Sequence, residues 1–371
     1  MSGLIEAVEI RTVRLPLRAP FQTSNGVSTE REFVLVRLAG GGAEGWGECV
    51  AEREPTYSSE HTSGAVDVMR SFLLPRLVAA EVRTAEDVAP ALSGVVGHPM
   101  AKAALELAVL DLELRLRGVS LAQYFGATRT RVPAGVSVGI QPSVPALLDV
   151  VGGFLDEGYR RIKLKIQPGW DLEPVRAVRQ RFGDELPLQV DANAAYDLAD
   201  AALLRRLDEF GLLLIEQPLH HDDLYQHARL AELLTTPLCL DESVVSARSA
   251  AAAISMGATR IINIKPGRVG GYLEARRIHD LARAHGVAVW CGGMLESGLG
   301  RRANIALAAL PGFTLPGDTS ASDRFYECDL TTPVTLDADG HVTVPSGPGI
   351  GAAPDPDLLS KFTVDVWSYE R

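Results

Sequence analysis

The chain has 371 residues, 46% hydrophobic and 22% charged, with a mean hydropathy of +0.08, which excludes a lone small module, a mainly disordered chain and a collagen-like repeat. A net charge of −11 and a pI near 5.3 argue against nucleic-acid or anionic-membrane partners, because both need a clustered cationic face. No apolar run approaches the ~20 residues that span a bilayer, the start lacks a cationic stretch leading into an apolar one, and Cys49, Cys239, Cys291 and Cys328 are too scattered for a disulfide frame or zinc site. The expectation is a cytoplasmic protein with reduced thiols and a small-molecule partner.

Residues 1–130 read as an α+β capping domain. IEAVEIRTVRLPL, REFVLVRLAG and AEGWGECV alternate as three strands of a meander, and YSSEHTSGAVDVMRSFLLPRL and MAKAALELAVLDLELRLRG carry helical periodicity. The Thr, Ser, Asn and Gly of PFQTSNGV, between the first two strands, suit either a lid or a plain surface turn.

Residues 131–325 alternate strand-like and helix-like segments. The predicted strands are VPAGVSVGI, RIKLKI, LPLQVDAN, GLLLIEQP, PLCLDES, RIINIKP, VAVWCGG and FTLPGD, with amphipathic stretches such as SVPALLDVVGGFLDEGY, ADAALLRRLDEFG and GYLEARRIHDLARAHGV between them. Polar residues at successive strand ends advance evenly: Lys165, Asp191, Glu216, Asp241 and Lys265 are separated by 26, 25, 25 and 24 residues. One βα unit fills each interval. Eight such units predict an α/β fold, a (β/α)₈ TIM-type barrel whose chemistry lies at the C-terminal strand ends; an open doubly wound sheet is the competing architecture. Residues 326–371, rich in turn residues, are expected to pack back on the N-terminal domain.

Of the 36 basic residues only Lys102, Lys163, Lys165, Lys265 and Lys361 are lysine. A chain that prefers arginine keeps lysine where a guanidinium fails, and proton transfer is such a place. Lys163 and Lys165, at i and i+2 in RIKLKI, project from one strand face, and mutual repulsion with burial is expected to lower their pKa values and create a neutral base. Asp191, Glu216 and Asp241 each end an apolar strand. One such acid alone is more often a cap, but three in register need a cation, and a hard-oxygen donor set without His or Cys specifies Mg²⁺ or Mn²⁺. Asn193 and Glu242 lie beside them as supporting or substrate-contact candidates, with a structural cap the alternative for Glu242. Lys265 ends the sixth strand, so amines flank the metal, and either can remove or return the α-proton of a metal-bound carboxylate substrate. A Schiff-base lysine is the rival, yet it has no use for three metal carboxylates. His220, His221 and His227 follow the fourth strand and are expected to face solvent. KPGRVGG fits neither nucleotide-loop pattern and reads as a strand-to-helix turn.

KLK at 163–165 with Asp191, Glu216, Asp241 and Lys265 resembles the enolase superfamily, in its muconate-lactonising-enzyme-like subgroup. APFQTS, EGWGECV, LLLIEQPL, CLDES, NIKPGRVGGYLEARR and LPGDTSASDRFY are similar to the N-acylamino acid (N-succinylamino acid) racemase and o-succinylbenzoate synthase family across nearly the whole chain. The resemblance implies Mg²⁺ on Asp191, Glu216 and Asp241, Lys165 and Lys265 as acid and base, and Lys163 as an aid to the enolate. Ser137, Asn193, Gly293 and Met294 would line the pocket, with Phe21 and Phe325 covering it. It further implies racemisation of N-acylamino acids, or alternatively syn-dehydration to o-succinylbenzoate in menaquinone synthesis, in a homo-oligomer of up to eight copies. Glu52, Arg53 and Asn25 depart from the family pattern in the cap loops and bear on side-chain and acyl preference. After Asp318 come Thr and Ser, not the aspartate pair of dipeptide epimerases, so a free α-ammonium on the substrate is not expected. A barrel that binds without catalysing is the remaining alternative.

Overall fold

The computed structural model describes residues 3–23 and 26–370; Asn25 lies outside the described residues. Strands β1 (Ala7–Thr23), β2 (Gly26–Gly40) and β3 (Ala43–Cys49) form an antiparallel meander. The predicted loop at 20–27 is strand over its described residues 20–23 and 26–27, for Phe21 pairs with Ser28, Gln22 with Val27 and Thr23 with Gly26. This end of β1 is tied to the barrel by a hydrogen bond from Ile140 N to Gln22 O, 3.1 Å.

MAKAALELAVLDLELRLRG forms the helix Pro99–Arg117, buried nearly all round because it lies between this sheet and the barrel's outer helices. Its close approach to β3 explains GWG: a Cβ on Gly47 would stand 1.9 Å from the Ala104 carbonyl oxygen. The predicted helix before it is interrupted by a five-residue π-helical segment, Met69–Leu73. A small pair, β4 (Arg131–Pro133) with β12 (His341–Thr343), flanks the barrel, and β13 (Thr363–Glu370) adds antiparallel to β1.

The barrel contains seven parallel strands in sequential order: β5 (Gly135–Val138), β6 (Arg161–Lys165), β7 (Leu188–Asp191), β8 (Ile215–Glu216), β9 (Leu238–Leu240), β10 (Ile261–Ile264) and β11 (Ala288–Cys291). Two expectations need correction. The predicted first strand divides, its start turning away as β4. The predicted eighth, FTLPGD, forms no regular strand, since Pro316 has no N–H to extend a ladder. It closes the ring through single bridges, Phe313 to Val289 and Gly317 to Ala134, with hydrogen bonds Asp318 N to Cys291 O (2.9 Å) and Gly135 N to Gly317 O (2.8 Å).

Alternation on each strand sorts the barrel interior into layers. Leu214, Cys239, Ile261 and Trp290 form a separate apolar cluster. Two residues further on, the same faces carry Glu216, Asp241 and Asn263, and the matching faces of β6 and β7 carry Lys163, Lys165 and Asp191.

Candidate active site

The charged groups at these strand ends are almost completely enclosed. Asp191, Glu216 and Asp241 are at most 1% exposed. Burial alone would force such carboxylates toward the neutral form, and buried charges persist only when paired. The Lys165 ammonium contacts Asp191 Oδ2 at 2.5 Å and Asn193 Oδ1 at 2.6 Å. Lys163 bridges Glu216 Oε2 (3.0 Å), Asp191 Oδ2 (3.4 Å) and Asp318 Oδ2 (2.6 Å), with its Nζ 4.8 Å from the centre of the Trp290 ring. Lys265 stands 2.7 Å from Asp241 Oδ2 and donates to the Tyr57 hydroxyl at 3.2 Å, while Arg268 contacts the other Asp241 oxygen.

This pairing overturns the expected depression of the Lys163 pKa. Burial does lower the pKa of Lys163, but Asp318, Glu216 and Asp191 outweigh it and the net shift is upward. Lys265 is likewise raised: burial is outweighed by Tyr57, Glu242 and the nearby carboxylates. The neighbours of each ammonium are chiefly carboxylates, not the other lysine. Asp191 is pushed up by burial and pulled further down by Lys165 and Lys163, to about 2. Glu216 is raised by burial and by the charge of Asp191.

Backbone and side-chain supports set these positions. Asn263 donates to Glu216 Oε1 at 2.6 Å. Gln217, in the left-handed region at φ +38°, accepts from the backbone N–H groups of Asp241 (3.0 Å) and Ser243 (3.2 Å), linking one strand end to the next. Asn193, at φ +43°, donates to Glu242 at 3.0 Å, and Glu242 thereby supports a pocket residue. Gly292 leaves room for Lys265, for a Cβ there would lie 2.8 Å from Lys265 Cγ and 2.2 Å from Asn263 Oδ1.

The donor chemistry fits a hard divalent cation. Asp191, Glu216 and Asp241 stand at the ends of three successive strands, the Asp241 oxygens meet only the cations Lys265 and Arg268, and Glu242 Oε2 is buried without a hydrogen-bond donor. The three carboxylates do not close to ligand spacing here, because Lys163, Lys265 and Arg268 lie against them. Among the described residues only His220, His221 and Asp222 bring their ligand atoms within 4.8 Å of one another, on the exposed surface. His220 and His221 face solvent as expected, whereas His227 is fully buried: its Nε2 accepts from Leu219 N (3.3 Å) and its Nδ1 pairs with Asp223 O (2.7 Å).

Above the strand ends lies a cavity of about 450 Å³. Lys163, Lys165 and Lys265 open into it, and its walls include Ser137, Asn193, Gly293 and Met294 together with Phe21 and Phe325. Phe21 of β1 meets Phe325 edge to face, with ring centres 6.5 Å apart. Glu52 and Arg53 belong to the same lining. Sequence reasoning missed Tyr57, Arg161, Asn263, Arg268 and Arg324. Period-two spacing from Lys163 and Lys265 would have found Arg161 and Asn263, whereas nothing local marks the others.

Residues 5–126 match the mandelate racemase / muconate lactonizing enzyme N-terminal domain, and residues 147–358 the enolase C-terminal domain-like family. The chain belongs to the enolase superfamily. This superfamily member is 62% identical over 364 residues to an N-succinylamino acid racemase of Amycolatopsis sp, covering 98% of the chain and 99% of the relative. It is 49% identical over 360 residues to an o-succinylbenzoate synthase of Geobacillus kaustophilus, covering 97% and 96%. Its fold superposes on an enolase superfamily member from Listeria innocua with a TM-score of 0.95 at 40% identity, covering 99% of each chain. It is thus similar throughout to enzymes built as a (β/α)₈-type barrel with a capping domain.

Proposed function

We propose that this enzyme racemises N-acylamino acids, N-succinylamino acids foremost, by moving the α-proton from one face of the α-carbon to the other, with Mg²⁺ as its divalent ion. One observation carries this reading. Lys165 ends β6 and Lys265 follows β10, four places apart in an eight-membered ring, so the two amines approach one cavity from opposite walls with three buried carboxylates on the strands between them. The 62% identity to a racemase supports it.

Asp191, Glu216 and Asp241 would hold the cation, which supplies positive charge against the developing enolate. Lys165, steered by Asp191 and Asn193, faces one side of the α-carbon, and Lys265, steered by Asp241 and Tyr57, faces the other. Each gives up a proton before it can act as base. Added positive charge among the carboxylates acts in that direction, since it weakens the pull that now holds Lys265 as an ammonium. Lys163 stays cationic beside Glu216 and Asp318 and stabilises negative charge on the substrate.

The test is incubation with Mg²⁺ and an N-succinylamino acid in D₂O. Solvent deuterium is expected at the α-carbon of both enantiomers; absence of exchange from every acylamino acid tried overturns the reading. A second reading, syn-dehydration to o-succinylbenzoate, is favoured by the 49% identity to a synthase and uses the same lysines, with Lys165 as base and then as acid to the departing hydroxyl.

A further inference from the structure

Three cavity cations have tasks in the proton transfer, and the next cation along the wall has none. Arg324 closes the short turn Ser322–Arg324 just beyond the barrel's last segment and lines the same cavity as Lys165. Its guanidinium carbon lies 4.6 Å from the ring centres of both Phe154 and Phe325, and its Nη2 donates to the carbonyl oxygen of Ser137. Ser137 pairs in register with Lys163, so Arg324 stands at the end of β5, beside the strand of the catalytic lysines. A guanidinium offers five N–H donors. Here one is accounted for, and among the described residues no carboxylate forms an ion pair with it.

The other arginines of this wall are already engaged. Arg301 donates to the Asp318 carbonyl at 3.0 Å and sits 3.6 Å from Glu296, Arg31 donates to the carbonyls of Val50 and Ala51, and Arg53 pairs with Glu30 at 3.1 Å; Arg161, outside the lining, pairs with Asp318 at 2.9 Å. Asp318, whose charge reaches Arg324, uses its oxygens on Arg161 and Lys163. Burial draws the Arg324 pKa down to about 10, the direction for a cation short of anionic neighbours. Aromatic rings over the guanidinium leave its edge, where the N–H groups lie, free for an in-plane acceptor, and a carboxylate matches that fork in a bidentate manner.

We infer that Arg324 anchors a second carboxylate, at the end of the substrate's acyl arm, and so selects dicarboxylic acyl groups such as succinyl over neutral ones. Phe325, which lines the cavity, supplies an apolar wall for the methylenes between the two carbonyl carbons. The inference rests on the acylamino acid reading of the site, although a succinyl arm is common to both reactions considered above. Arg324 is a specificity residue in this scheme and transfers no proton.

The experiment compares N-succinyl-L-valine with N-butyryl-L-valine, in which a methyl replaces the distal carboxylate, for wild type, Arg324→Met and Arg324→Lys. Wild type is expected to prefer the succinyl compound, and Arg324→Met to reduce kcat/KM for it by about 10–100-fold, mostly through KM, as loss of a charged hydrogen-bond partner would do. The succinyl-to-butyryl ratio should then fall toward one, with Arg324→Lys intermediate because it keeps the charge and loses the fork. An unchanged ratio overturns the inference, as does an equal loss on both substrates, which marks a structural role. If the methionine variant does not fold, the lysine variant decides by the same ratio. Calorimetric binding of both compounds separates this inference from the reaction assignment: Arg324-dependent preference for the succinyl arm without α-proton exchange keeps the anchor and rejects racemisation, whereas exchange without that preference does the reverse.

Discussion

On the cavity floor Lys163, Lys165 and Lys265 are 2%, 8% and 6% exposed and each lies against a buried carboxylate. At the mouth the paired side chains of Arg53 and Glu30 are 61% and 39% exposed, and the Glu52 carboxylate accepts from the Thr56 hydroxyl at 3.3 Å. In the enclosed floor every charge depends on a fixed partner, because a lone buried ion is intolerable and the low dielectric strengthens each contact. At the mouth, water screens the same kinds of charge, and rearranging them costs little. The floor therefore cannot change without loss of chemistry, while the mouth can change and alter only what is admitted.

The harshest way to break this contrast is to alter a floor lysine. Lys165→Arg or Lys265→Arg keeps the charge but removes a usable base, so racemisation should fall by about 10²–10⁴-fold. Each variant should still exchange deuterium into one enantiomer, with opposite preference. Deuterium NMR of the resolved enantiomers checks this, and retention of normal racemisation by both variants defeats the two-base scheme. Next in size is Asp241→Asn. It removes a carboxylate from the floor, and divalent-metal affinity and turnover should decline together, by more than the ~10–100-fold typical of losing a supporting partner. Full activity after chelation of the metal ion would refute the metal assignment of Asp191, Glu216 and Asp241.

At the mouth the effect should be smaller and of a different kind. Glu52→Leu is expected to shift relative kcat/KM among N-acylamino acids of different side chain by about 3–10-fold while the metal requirement stays as it was. A uniform change across substrates would place Glu52 with the floor.

The seam between cap and barrel sharpens the contrast through stability. Glu48 accepts from Ser297 and Gly300, and Glu106 from Leu273 N at 3.0 Å, both across that seam. Burial pushes both carboxyls up to about 7. With the folded pKa above the unfolded value near 4.5, the folded state binds more protons between the two, so stability is highest on the acid side of that window and declines as pH rises through it. Tm should fall between about pH 5 and pH 8, and Glu106→Gln, which is neutral throughout, should reduce that fall. An unaltered pH slope would remove Glu106 from the account.

Much of the floor is legible from local pattern. An apolar run ending in an acid or lysine, repeated at one βα interval, places Asp191, Glu216, Asp241 and Lys265 on one rim, because strand alternation and barrel closure leave few other arrangements. The same alternation carries Lys163 and Lys165 inward together. What each would touch is not in the pattern. The expected mutual repulsion of Lys163 and Lys165 gives way to Asp318 and Glu216 on one side and Asp191 and Asn193 on the other. His227 reads as a surface residue until its ring is seen sealed between Leu219 and Asp223.

By itself the chain determined its parallel alternating barrel, the cap strands and helices, and which strand ends bear charge, since these follow from periodicity, turn residues and burial of apolar faces. Only the tertiary structure decided that Tyr57 of the cap meets Lys265, that an irregular segment around Pro316 closes the ring, and that Arg324 stands between two rings facing the cavity. Those pairings join residues far apart in sequence, and long-range charge pairing is set by how domains close on one another, which no local periodicity encodes.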